Sequence, residues 1–148
     1  MEKLVFDTGI REFEINGNGV LRFNPGDPNV YARLLDSLEE IKKVEEDLVE
    51  QSKQIAQNDG AAVLRLMAQA DKHMKKILTG VFGPENDFDK ILGGVNVMAV
   101  CGNGERAITN LLNVLTPIIQ EGAERCAKQQ ADIAVSEANA GRTRRERK

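Results

Sequence analysis

The chain has 148 residues, of which 41% are apolar and 29% charged, with a formal net charge of −3. That profile fits one folded domain with a modest core and excludes an intrinsically disordered chain. No apolar run approaches the roughly 20 residues that cross a bilayer, and the opening MEKLVFDTGIREFE is too charged for a secretory leader, so a cytoplasmic, membrane-free protein is expected.

The front end, residues 1–24, reads as strands. KLVF at Lys3–Phe6 and IREFEI at Ile10–Ile15 are extended apolar runs separated by Asp7, Thr8 and Gly9, a tight-turn composition. Asn16–Gly19 (NGNG) supplies residues that tolerate positive φ before VLRF resumes, so Ile15–Phe23 reads as a β-hairpin. The expectation is a hairpin or a three-stranded antiparallel meander. Either is marginal in water until another element covers it.

Pro25 and Gly26 end the strand, Asp27 is placed to cap a helix, and Pro28 suits its first position. The first helix is expected over 28–57, with Val30, Leu34, Leu38, Ile41, Val44 and Leu48 inward. Asn58 and Gly60 stop it. A second helix follows over 61–79, with Val63, Leu66, Met67, Ala70, Met74, Ile77 and Leu78 on one face and Gly80, Gly83 and Pro84 after it. Next, ENDFDKILGG suggests a loop and a short helical turn capped by Asp87, with Phe88, Ile91 and Leu92 inward. VNVMAV, residues 95–100, is compatible with a buried strand or a helical turn.

The third main helix, 104–140, opens after CGNG with Asn103 as a candidate cap. Ile108, Leu111, Leu112, Leu115, Ile118, Ile119, Gly122 and Cys126 form its apolar face. Pro117 lacks the N–H that would bond to the carbonyl of Asn113, which predicts a kink or a break. Gly141 is expected to release a basic flexible tail, 142–148. The fold class is therefore α+β and mainly helical, a single domain over 1–141.

Chemistry-bearing patterns are sparse. GNGERA, Gly102–Ala107, matches the glycine spacing of a dinucleotide fingerprint, but no second parallel strand with a terminal acid follows, so a glycine-rich start to a helix is the better reading. His73 is the only histidine and has no cysteine at ligand spacing. Ser37, Ser52 and Ser136 fall on helices without a histidine partner, and the carboxylate pairs Glu39/Glu40 and Glu45/Glu46 belong to a wet helix face. Cys101 and Cys126 form no CxxC pair and read as reduced packing residues. No catalytic constellation, metal site or cofactor site is expected.

Two features go further. The end RTRRERK carries Arg142, Arg144, Arg145, Arg147 and Lys148 against one acid, net +4, which leaves −7 on residues 1–141. These five residues are the candidate partner-binding set; the end reads first as a disordered solubilising segment, next as a contact for an acidic protein surface, and last as one for nucleic acid, because the acidic body offers no basic face. The helices are also long for so small a core, which suggests self-association or the gripping of a helical client.

The segments NGNGVLRFNPGDPNVYARLLDSLEEI, NDFDKILGGVNVMAVCGNGERAITNLL and GRTRRERK, spanning nearly the whole chain, resemble small proteins encoded among the tail genes of phages and prophages of Gram-positive bacteria. Those proteins are taken to be tail assembly chaperones. The resemblance implies a non-enzymatic protein of the host cytoplasm, absent from the mature virion. It would hold the helical tape-measure protein while tail-tube subunits assemble around it. The alternatives are a structural tail or head-tail component that stays in the virion, and a small regulatory nucleic-acid-binding protein.

Overall fold

The computed structural model describes residues 1–55 and 57–146, with side chains through Arg142. Its elements are β1 (Arg11–Ile15), β2 (Gly19–Phe23), α1 (Pro28–Gln54), α2 (Gly60–Phe82), α3 (Phe88–Ile91) and α4 (Ala107–Glu146). The class is α+β and mainly helical, as the residue patterns indicate.

β1 and β2 form an antiparallel pair running from Arg11 opposite Phe23 to Ile15 opposite Gly19. The turn uses positive φ at Asn16 and Gly17, and the Asn18 N–H donates to the Ile15 carbonyl at 2.9 Å. Alternation sends Phe13, Ile15, Leu21 and Phe23 to the helices, and Leu21 is fully buried. Among the described residues no third strand joins them. Of the two arrangements open from sequence, the hairpin forms and the meander does not, because the Asp7–Gly9 turn is fixed elsewhere. Asp7 Oδ1 accepts the Gly9 N–H at 2.8 Å, and Asn24 Nδ2 donates to the Thr8 carbonyl at 3.1 Å. Gly9 adopts φ +76 against the Asn24 side chain, where a Cβ would fall 2.6 Å from Nδ2. Residues 1–10 therefore form an exposed arm.

α1 starts as its cap predicts: Asp27 Oδ1 accepts the Asn29 N–H at 2.9 Å and Pro28 takes the first turn. It ends at Gln54, before the expected 57. Its core line is Val30, Leu34, Ile41, Val44 and Leu48. Leu38 is not on that line. Between 34 and 41 the helix brings Ser37 inward, half-buried, and turns Leu38 to solvent beside Tyr31 and Leu35.

Asp59 caps α2 through the Ala62 N–H, and the helix runs past the expected end at 79 to Phe82, with Gly83 as its C-cap. Burial of Val81 and Phe82 offsets the modest helix penalty of Gly80. α3 matches its pattern, with Asp87 accepting from Asp89 and Lys90 N–H groups and with Phe88 and Ile91 buried. Phe13, Phe23, Phe82 and Phe88 stand in a row with ring centroids 5.0 to 5.7 Å apart, joining hairpin, α2 and α3.

Residues 95–100 are neither strand nor helix. They form turns with one isolated bridge, Val100 to Arg106, and serve as the seat of α4. The Ala107 and Ile108 N–H groups, which a helix start leaves without internal partners, donate to the Ala99 and Val97 carbonyls at 2.9 and 2.7 Å. Asn103 does not cap α4, which begins later; it accepts the Glu105 N–H and pairs with the Asn110 amide.

α4 is continuous through Pro117 and does not stop at Gly141. Residues 142–146 are helical rather than a tail, because a single glycine costs only about 1 kcal/mol among good helix formers; 147–148 lie outside the described residues. The first half of α4 packs through Ile108, Leu115 and Ile119, all buried. At Gly122 it meets the Pro25–Gly26 turn so closely that a Cβ would collide with the Pro25 carbonyl. Residues 127–140 are exposed throughout.

Candidate protein-binding surfaces

One side of the molecule is closed by polar side chains that replace missing backbone partners. Asn86, buried, faces the outer edge of β2: its Oδ1 accepts the Arg22 N–H at 2.9 Å, and its Nδ2 donates to the carbonyls of Arg22 at 3.0 Å and Phe82 at 2.9 Å. It thus serves as a one-residue substitute for a third strand. Nearby, Asp71 splits its carboxylate, Oδ1 accepting the Val97 N–H at 2.8 Å and Oδ2 accepting from Lys75 Nζ at 3.0 Å. Lys75 Nζ also donates to Asp89 at 2.6 Å. Burial alone would lower the Lys75 pKa, but the hydrogen bonds and charges of Asp89 and Asp71 prevail and raise it above the ordinary value. Lys75 in turn holds the Asp89 carboxyl below its ordinary value, mainly through the hydrogen bond. The cluster ties α2 to α3 and to the seat of α4.

The other side is open and apolar. Tyr31, Leu35 and Leu38 lie at helical spacing along the exposed side of α1, with Leu35 and Leu38 48% and 44% exposed. Pro28 and Tyr31 form one wall of a groove of about 500 Å³ whose other wall is Ala123, Cys126 and Ala127 of α4. Beyond it α4 carries Ile133 and Val135 into solvent. A second groove, about 510 Å³, lies between the end of β1, the 92–101 segment and the first half of α4; Ile15, Leu92, Val95, Leu111 and Val114 supply its apolar lining.

The residues singled out from sequence fall in different places. Arg142 is exposed on α4, Arg144 and Arg145 occupy helical positions, and Arg147 and Lys148 lie outside the described residues. The GNGE turn uses its own polar groups: the Cys101 N–H donates to the Glu105 carbonyl at 2.7 Å and the Gly104 N–H to Cys101 at 2.9 Å. His73 is exposed, with Nε2 3.4 Å from Glu40 Oε1. Cys126 is half-buried, but Cys101, expected to pack inside, is exposed because residues 101–105 loop outward before α4.

Asn86 and Asp71 were missed. Their sequence signal, one amide and one acid next to apolar helix positions, is no different from that of a surface residue. Among the described residues no three His, Cys, Asp or Glu side chains gather as metal ligands, and no helix is long and apolar enough to cross a membrane. Compared with known proteins, the chain matches no family model, no curated protein and no solved structure.

Proposed function

We propose that this chain is a non-enzymatic tail assembly chaperone that grips the helical tape-measure protein along the α1–α4 face. The observation that carries the reading is the uncovered row Tyr31, Leu35 and Leu38 beside a groove whose far wall, α4, continues into solvent. An amphipathic helix laid in such a groove buries its own apolar stripe at three-to-four spacing, the recognition mode that suits a long helical client. The narrow lining favours repeated weak binding by several copies, which tail-tube subunits could displace. The resemblance of the three quoted segments supplies the identity of that client, and the host cytoplasm is where the work is done.

The test is co-expression of this chain with the large tape-measure protein encoded nearby, followed by pull-down and a solubility assay. The client is expected to become soluble and to co-purify with several copies of this chain. Leu35→Glu with Leu38→Glu should abolish that. An insoluble, unbound client, with the chain present instead in purified particles, would replace this reading by the structural tail component.

A further inference from the structure

The hairpin has one occupied edge and one bare edge. Because the Arg22 N–H and carbonyl face Asn86, the Glu12–Arg22 pair is a non-hydrogen-bonded one, and Glu12 and Glu14 aim their own main-chain groups away from β2. Among the described residues no main-chain group pairs with that edge. It borders the groove lined by Ile15, Leu111 and Val114. An open strand edge beside an apolar groove is a template for an extended segment.

Such a segment exists in the same chain. Leu4, Val5 and Phe6 are 91%, 94% and 80% exposed, and Phe6 is the one phenylalanine of five outside the aromatic row. We propose that the N-terminal arm of one copy adds as a strand to the β1 edge of a second copy, and that the second copy returns its arm to the first.

Length, pattern and charge agree with this occupant. Six residues span about 20 Å at roughly 3.3 Å each, enough to cover a five-residue strand. Alternation puts Leu4 and Phe6 on one face, toward the groove, and Lys3 and Val5 on the other, beside the side chains of Glu12 and Glu14. Glu12 already pairs with Arg22 at 3.0 Å, whereas Glu14 has no cationic partner among the described residues, and Lys3 would supply one.

The Asp7–Gly9 turn, fixed on Asn24, keeps the arm from folding back on its own strand. Large side chains present on the order of 150 Å² each. Two exchanged arms with the groove surface they cover reach on the order of 1,500 Å², within the range of specific interfaces. The exchange is two-fold: each copy gives its one arm and fills its one β1 edge, so neither is left over and the contact closes at a dimer instead of growing. It is independent of the α1–α4 face and stands whether or not that face holds a client.

Sedimentation of the full chain and of Leu4→Glu with Phe6→Glu tests the contact. The natural chain should be a dimer at tens of micromolar, and the variant should dissociate at least about 100-fold more readily, since four large side chains, two on each arm, lose their burial. The variant should keep the helical circular dichroism of the natural chain, because both residues are exposed in the single copy, whereas only the natural chain's thermal transition should rise with protein concentration. Placement is tested with both natural cysteines replaced by serine. Chains carrying Val5→Cys are mixed with chains carrying Glu14→Cys and treated with a short bis-maleimide. A product of twice the chain mass is expected. A monomeric natural chain, a dimer that the two glutamates leave intact, or mixed chains that give no product of twice the chain mass would each overturn the proposal.

Discussion

The two edges of one hairpin differ in how their backbone is satisfied. β2 meets the amide of Asn86 from within its own chain, while the outer edge of β1, five residues long like its partner, meets no partner among the described residues. The same division extends across the molecule. On the Asn86 side the polar groups of α2, α3 and the 95–100 segment answer one another at 2.6 to 3.2 Å, and that side is built to stay shut. On the β1 and α1 side the uncovered groups are main-chain amides and large apolar side chains, the two kinds of surface that a second protein can satisfy.

Substitutions should separate the two sides by what they cost. Asn86→Ala strips the buried partner from the Arg22 N–H and carbonyl at once and is expected to cost about 3 kcal/mol in urea unfolding. Asp71→Ala leaves the Val97 N–H without its acceptor and Lys75 with one carboxylate fewer, about 2 kcal/mol by the same measurement.

Acid gives a smaller, graded loss. The Asp89 carboxyl has its folded pKa below the ordinary 3.8, so its contribution is present above that value and fades as pH falls through the lower one. Lys75 works in the opposite direction: its folded pKa is above 10.5, so its contribution is complete below that value and fades as pH rises past the folded one. Stability followed against pH should therefore decline at both extremes, and Asp89→Asn should flatten the acid limb. The smallest effect belongs to the open side. Leu35→Glu with Leu38→Glu should lower stability by no more than about 1 kcal/mol, because those side chains are about half exposed and lie outside the core. A large loss there would mean that the face is closed after all.

What could be read from sequence was whatever depends on neighbours in the chain. Asp27–Pro28, Asp59 and Asp87 as helix caps, NGNG as the hairpin turn and Phe88 with Ile91 as inward residues are local chemistry, and each stands as expected. The errors share another cause. KLVF has a strand's composition, but its pairing depended on where Asn24 anchors Thr8, sixteen residues earlier in the chain. VNVMAV buries only Val97 and Met98, and it is irregular because its carbonyls at Val97 and Ala99 are taken by the first amides of α4. Leu38 and Ser37 both satisfy a three-to-four spacing, and only the position of α2 selects between them. Of the candidate surfaces, the length of the helices signalled that something would be left uncovered, but the side of α1 on which it lies was set by packing.

The anchoring of α4 at its first two amides, and the glycine contact at 122, give its exposed part the mechanical character of a boom. Its twenty helical residues 127–146 extend about 30 Å at 1.5 Å per residue. Whatever is held near the far end therefore stands at a distance and azimuth counted in residues. Removing one residue from 127–140 would draw that load in by about 1.5 Å and swing it by about 100° around the axis, while the folded body remained as it was.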